Sequence, residues 1–305
     1  MHSFLIVTEF TAIVKHFVYN CEMTVGIIIV NFNGKHLLEK NLHSVVNNGY
    51  KDFDVVVVDN ASKDGSIVYL QKEFPSVKIV ESRENLGFGR GNNLGVKECP
   101  NYDAYLFLNN DISVPQGFLD NLVKELQKDG VGAVGPKVLY SKENIGSEKR
   151  VINSAGIYVD RHYMAYDRYD KEEDNSKYSV VEEIDALMGG AFLVKREVFE
   201  EVGGFNPKMF LYYEDIDLSL RIRDLGYKLY YVGTSEVYHD HMASSKKLGV
   251  RKRNIMNMQN RFRSIWSRKG LLVAIRETIW YLFNWLMWKM IYSKRVTLKE
   301  FLKEK

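Results

Sequence analysis

Cysteine and proline are scarce in this chain, with two cysteines, Cys21 and Cys99, and five prolines among 305 residues. Two thiols cannot build a disulfide framework or a zinc cluster by themselves, so the default compartment is reducing and cytoplasmic. Few prolines, together with 46% hydrophobic and 27% charged residues, exclude a collagen-like, low-complexity or disordered polymer. No run reaches the ~20 uninterrupted apolar residues that a spanning helix needs. The best stretch, Thr278 to Trp288, is cut off by Glu277 and Lys289. The amino end lacks a basic start and is broken by Glu9, which makes it a poor secretion signal.

Charge is unevenly spread. Residues 246–276 carry ten Lys or Arg and no Asp or Glu, so the overall formal charge of +3 conceals an acidic body and a basic tail. At roughly twice a common domain length, the chain is either one large α/β domain with additions or two modest domains.

From Thr24 the pattern is strand, turn, helix, repeated. VGIIIVNF (25–32), FDVVVVDN (53–60), VKIVES (77–82) and YDAYLFLNND (102–111) read as strands, the first followed by a helix over about 35–48. Fully apolar strands alternating with helices imply a mostly parallel sheet covered on both faces. Ser62 is the expected cap of the helix holding Ile67, Val68 and Leu70. Pro115 is expected to open another through about Gln127. Segment 141–183 has no clean period and should hold a hairpin and a loop near 170–179. Lys195–Val202 reads as a short helix ended by Gly203-Gly204, and Glu214–Leu225 as a second, stopped by Gly226. The last sixty residues read as helical. Residues 1–23 fit none of this; they are expected to be an extension ahead of a natural start at Met23, or else a membrane-contacting helix.

In an open parallel sheet, ligands bind beyond the carboxyl ends of the strands. Three successive strand ends close in Asn or Asp: Asn31 and Asn33, then Asp59 and Asn60, then Asn109, Asn110 and Asp111. Each alone can serve as an ordinary cap or turn. ENLGFGRGNNLG (84–95) invites a phosphate loop, yet the Gly-x-Gly-x-x-Gly fingerprint fails in both registers and there is no Gly-Lys-Ser/Thr. A Rossmann dehydrogenase is disfavoured. Asn109-x-Asp111 places two oxygen ligands on one side of a strand end, suited to Mg²⁺ or Mn²⁺ shared with phosphates. Glu214-Asp215-x-Asp217 at a helix start and His239 with His241 are further candidates; helix-dipole partners and a hydrogen-bonded histidine are the plainer explanations.

Together IIIVNFNG, VVVVDNASKDGS, ENLGFGRGNNLG, LNND, MGGAFLVKREVFEEVGGFNPKMFLYYEDIDLSLRIRDLGYK and VYHDH resemble the inverting family 2 glycosyltransferases of GT-A fold, especially the rhamnosyltransferase-like branch. The resemblance runs from about Thr24 to Ser245, and implies a catalytic domain over 24–245 followed by a basic, aromatic tail over 246–305. It implies donor contacts at Asn31, Asn33, Asp59, Asn85, Gly87, Asn92, Asn93 and Asn110, with Asp59 accepting a hydrogen bond from a pyrimidine base. It makes Asp111 the metal ligand, completed by His239, with Asn109 standing where the family has an Asp. Asp215 becomes the general base beside Glu214, with Gly189, Gly190 and Asp217 on the acceptor side. The implied reaction moves a sugar from dTDP-rhamnose or a UDP-sugar to a glycan or lipid-linked acceptor in cell-surface polysaccharide synthesis, with Mg²⁺ or Mn²⁺ as cofactor. A nucleotidyltransferase is the rival class.

The tail sets Lys246, Lys247, Arg251, Lys252, Arg253, Arg261, Arg263, Arg268 and Lys269 before Trp280, Tyr281, Phe283, Trp285 and Trp288. Cations and amphipathic rings are what an interfacial helix uses, so peripheral contact with the inner face of the cell membrane through 246–292 is expected. The aromatics can instead pack on the body or a second subunit, which leaves an oligomer open. No nucleic-acid module is present, and nucleic acid is not an expected partner.

Overall fold

The computed structural model describes residues 23–99, 101–146, 149–240 and 249–293, with side chains in the last stretch through 287. The expectations for residues 1–22, for His241, Lys246 and Lys247, and for the Trp288 side chain lie outside the described residues.

The first half alternates as its apolar runs require: β1 (Val25–Asn31), α1 (Lys35–Val46), β2 (Phe53–Asp59), α2 (Ser66–Glu73), β3 (Lys78–Glu81), α3 (Gly87–Glu98) and β4 (Ala104–Asn109). Then come β5 (Ile112–Ser113), α4 (Phe118–Leu126), β6 (Val131–Tyr140), α5 (Lys142–Ile145), β7 (Ile152–Ser154) and a hairpin of β8 (Ile157–Val159) with β9 (Ala165–Asp167). The remainder is β10 (Val181–Glu183), β11 (Ala191–Lys195), α6 (Arg196–Glu201), α7 (Glu214–Asp224), β12 (Lys228–His239), α8 (Val250–Lys269) and α9 (Leu271–Ser293).

The main sheet runs β10-β12-β6-β11-β4-β1-β2-β3, with β5 beside β12 and β7 beside β6. Strands β3, β2, β1 and β4 are mutually parallel, and β12 is parallel to β6. Strand β11 is antiparallel to both β4 and β6, so β6 and β12 point the same way as β4. The long strands therefore discharge at one edge, while β11 begins there. This brings Asn31, Asp59, Asn109 and His239 to the same edge as Gly189-Gly190, which precede β11.

Alternation along each strand feeds two cores. Ile27, Ile29, Val55, Val57, Leu106 and Leu108 pack under one face, and Ile28, Val56, Val58, Tyr105 and Phe107 under the other. Both faces are covered, as continuous β-branched runs demand.

Segment 84–95 is mostly helix. The glycines of α3 are spacers against the sheet: a Cβ at Gly95 would stand 2.5 Å from Ile28 Cγ2, and one at Gly91 2.9 Å from Val30 Cγ1. Close packing, and not an anion cradle, explains this run. Ser62 does not cap α2; Gly65, at φ 82°, takes that position, and the Ser62 hydroxyl is used elsewhere. Pro115 precedes the helix without opening it, because Gly117 at φ 75° makes the turn into α4.

The tail is docked onto the body. Asn260, Arg261, Ser264 and Ile265 of α8 and Ala274 and Glu277 of α9 are buried. Leu272, Ile279 and Phe283 of α9 face solvent at 84%, 62% and 61% exposure, which leaves an apolar outer surface on the helix. Among the described residues, no helix is long and apolar enough to cross a membrane.

Candidate active site

At the carboxyl edge, short polar side chains form one connected network. The Asp59 carboxylate is buried and accepts from the Ser62 backbone N–H (2.8 Å) and the Asn31 amide (3.3 Å). Asn31 in turn accepts from the Asn110 amide at 2.8 Å. Ser62 Oγ accepts the Asn33 N–H, and the Asn33 side chain, on a residue at φ 49°, accepts from the Lys63 N–H. Gly34 is required here, since a Cβ would stand 2.4 Å from Asn110 Nδ2. Asn31, Asn33, Asp59 and Asn110 are thus brought together.

The glycine-rich segment divides. Asn85 accepts from the Gly87 N–H, and Asn92 is buried with its amide donating to Phe88 O and its carbonyl oxygen without a hydrogen bond. Gly87, at φ 77°, leaves room for Phe210 O, 2.1 Å from where a Cβ would sit. Asn93 spends both amide atoms on the backbone of Phe205, at 2.8 and 2.9 Å. Gly87 and Asn93 therefore serve the packing of this segment.

The two-residue alternation expected at Asn109-x-Asp111 fails, because β4 stops at Asn109 and residues 110–111 form a turn. Asp111 is matched instead with His239. His239 Nε2 lies 3.3 Å from Asp111 Oδ1, and His239 Nδ1 lies 2.8 Å from Asn153 Oδ1. An amide oxygen can only accept, so Nδ1 is the donor and Nε2 is turned toward Asp111. Asp111 Oδ1 is buried without a hydrogen bond. An imidazole nitrogen and a carboxylate oxygen facing each other across a buried gap fit a cation ligand set. Among the described residues no cluster of three or more His, Cys, Asp or Glu could hold a metal unaided, so a cation here needs ligands from elsewhere, such as phosphate.

From Asp111 a path leads to the acidic helix start. Asn109 N–H donates to Gly190 O (2.8 Å), and Gly189 N–H donates to Asp215 Oδ2 (2.7 Å). A side chain at Gly189 would strike that carboxylate, since its Cβ would stand 2.7 Å from Oδ2. Helix α7 begins after Tyr212 and Tyr213, at φ 70° and 72°, a left-handed pair costing roughly 1–2 kcal/mol per residue. Its first turn holds Glu214, Asp215 and Asp217.

These carboxyls differ by environment. Asp215, partly open to solvent, is pushed up to about 6 by desolvation, with the Asp167 charge adding and the Ile216 and Gly189 N–H groups opposing. Glu214 is buried, leaves Oε2 without a hydrogen bond, and is pushed up to about 8 by desolvation and then by Asp215. Asp217 is fully buried and paired with Arg221 (2.9 Å), which holds the Val202 and Gly204 carbonyls. Asp217 is therefore a structural ion pair and not the acceptor-side group expected.

Two residues were not anticipated. Asp167, at the end of the β8–β9 hairpin, bears electrostatically on both Asp215 and His239, and its own carboxyl is pushed up, first by desolvation. Nothing in the aperiodic 141–183 segment marked it. Asn153, which orients His239, was equally silent.

Comparison with known proteins gives the chemistry a context. A model described as Glycosyl transferase family 2 matches residues 26–203, and one described as the N-terminal domain of galactosyltransferase matches 172–243. The chain is 23% identical over 277 residues to the low-salt glycan biosynthesis hexosyltransferase Agl10 of Haloferax volcanii, covering 89% of this chain and 86% of that protein. It is 26% identical over 241 residues to an N-acetylglucosaminyl-diphospho-decaprenol L-rhamnosyltransferase of Mycobacterium tuberculosis, covering 72% and 76%. An uncharacterized Sinorhizobium fredii protein matches at 26% over 72% of this chain, which spans only 25% of its length. Two solved structures share the fold: GalNAc-T7 with UDP, GalNAc and Mn²⁺ (TM-score 0.62, 19% identity, 81% of this chain and 48% of that one), and the mannosyltransferase PcManGT of Pyrobaculum calidifontis with GDP-Man and Mn²⁺ (0.60, 18%, 92% and 78%).

Proposed function

We propose, for a chain that belongs to glycosyl transferase family 2, that it transfers a sugar from a nucleoside-diphosphate donor to a hydroxyl of a glycan or lipid-linked acceptor, with inversion. The observation that carries this reading is the continuity from Asp59 through Asn31 and Asn110 to the Asp111–His239 pair, and onward through Gly190 and Gly189 to Asp215. One end is suited to a nucleotide and the other to a base.

In this scheme Asp59 and its amide neighbours receive the pyrimidine. Asp111 and His239 would hold Mg²⁺ or Mn²⁺ jointly with the donor diphosphate; a bound divalent cation offsets the charge left on the departing diphosphate. Asp215, poised near neutrality, takes the proton of the acceptor hydroxyl as its oxygen attacks the anomeric carbon. The attack comes from the face opposite the leaving group, so a single displacement inverts the centre. Gly189 fixes the carboxylate by its N–H while leaving room beside it. dTDP-rhamnose and UDP-sugars are the donors this reading favours, and cell-surface polysaccharide is the product class. The family match favours glycosyl transfer over nucleotidyl transfer. A panel of UDP- and dTDP-sugars with Mn²⁺ tests this: release of nucleoside diphosphate supports it, and pyrophosphate release from a nucleoside triphosphate would overturn it.

The acceptor reading extends to the tail. The exposed Leu272, Ile279, Phe283 and Leu286 of α9, beside the basic α8, suit an anionic bilayer. An open groove of about 560 Å³ on α8, lined by Val250, Arg251, Lys252, Ile255, Met256 and Gln259, mixes apolar and cationic surface in the same way. The expected result is co-flotation of the full chain with phosphatidylglycerol vesicles and its loss when Leu272, Ile279 and Phe283 are changed to Ser. Equal recovery of both forms would remove the membrane contact.

A further inference from the structure

The loop that launches the catalytic helix takes its backbone partners from another element. Tyr212 and Tyr213, immediately before α7, both adopt left-handed backbone. The Tyr212 hydroxyl is buried without a hydrogen bond. The partners come from α8, 48 and 49 residues further along the chain: the buried Asn260 amide donates to Tyr212 O at 2.8 Å and to Leu211 O at 3.0 Å. Its remaining polar atom, Oδ1, accepts from Arg263 at 2.7 Å. Every hydrogen-bonding atom of this side chain is committed.

A second anchor lies one residue along. Arg261 donates through Nε and Nη2 to His162 O at 3.2 and 2.5 Å, and the Tyr213 hydroxyl donates to Tyr163 O at 2.7 Å. The hairpin turn between β8 and β9, the start of α7 and helix α8 are thereby tied at one point. Trp280 of α9 closes it from outside, stacked on His162 with ring centroids 3.6 Å apart.

We infer that Asn260 is a positioning residue for the reaction: by fixing the Leu211 and Tyr212 carbonyls it sets the entry angle of α7 and so the point at which the Asp215 carboxylate meets the acceptor. The inference rests on the reading of Asp215 as general base. Asp215 is the second residue of α7, so a rotation of the loop moves its carboxylate directly. Losing the clamp leaves two partly buried carbonyls unpaired next to a strained pair, and the loop relaxes toward ordinary backbone. A displacement of about 1 Å at a reacting group can cost up to ~10²-fold in rate.

A double-mutant cycle between Asn260→Ala and Asp215→Asn tests the inference, read as nucleoside diphosphate release from the donor identified by the panel, with UDP or dTDP binding in Mn²⁺ counting folded sites. The expected result is a kcat about ten-fold lower for Asn260→Ala with donor KM unchanged, and under about two-fold further loss on the Asp215→Asn background. The same ten-fold loss on that background, or wild-type kcat for Asn260→Ala, would overturn it. If Asn260→Ala does not bind nucleotide, Asn260→Gln, which keeps both N–H donors on a longer stem, is read in the same cycle. Wild-type turnover by Asp215→Asn alone would instead remove the base assignment, a separate failure.

Discussion

The two ends of the strand-edge network are built on opposite electrostatic terms. At the proposed donor end, both oxygens of the buried Asp59 carboxylate accept hydrogen bonds, and the amides around it pair with one another. At the proposed acceptor end, Glu214 buries an oxygen without a hydrogen bond, and Glu214 and Asp215 have their carboxyls pushed up mainly by desolvation. A satisfied carboxylate is a fixed receptor. A desolvated one is a proton acceptor at a cost in stability.

The largest effect that sharpens this contrast is on turnover. Asp215→Asn should reduce kcat by at least about 10²-fold while donor binding stays within about two-fold. Asp59→Ala should do the reverse at the level of binding: it strands the Asn31 amide and the Ser62 N–H, costing about 1–3 kcal/mol per unpaired group, and weakens nucleotide binding. Calorimetric titration with UDP and dTDP, alongside steady-state rates, separates the two. If Asp215→Asn lost nucleotide binding and Asp59→Ala kept it, the assignment of the two ends would be reversed. With Asp215 as the proposed base, active only when deprotonated, the acid limb of kcat should fall near pH 6.

The same contrast explains what the sequence disclosed. Strands β1, β2 and β4 were legible because continuous Val, Ile and Leu runs fit a sheet covered on both faces and little else. Once those strands are parallel, Asn31, Asp59 and Asn109 must share an edge, so the donor end follows from local pattern. The acceptor end depends on distant pairings that leave no local trace. Asp217 looked like a third acidic site group, but Arg221 one turn on neutralises it. Asp167 reaches the site on a three-residue strand with no period to read. Ser62 resembled a helix cap, yet its hydroxyl accepts the Asn33 N–H of another loop. In the tail, Arg261 sat in a basic run that suggested a membrane-facing surface, yet it and its neighbour Asn260 turned inward once α8 packed beside α7.

The smallest expected effect concerns stability and tests the desolvated end directly. Glu214 has an ordinary value of 4.5 and stands near 8 in the fold, so between those limits the folded chain keeps a proton that the unfolded chain has released. Stability from this group is therefore full below about pH 4.5 and declines as pH rises toward 8. Asp215, its carboxyl also pushed up by desolvation, contributes with the same sign. Glu214→Gln keeps the shape and stays neutral, so its melting temperature should vary less as pH rises toward 8 than the wild type's, with the gap between the two closing at the acid end. Parallel curves from pH 6 to 8 would mean that Glu214 ionises without penalty. The carboxyl beside the base would then be as well satisfied as Asp59, and the contrast between the two ends would reduce to Asp215 alone.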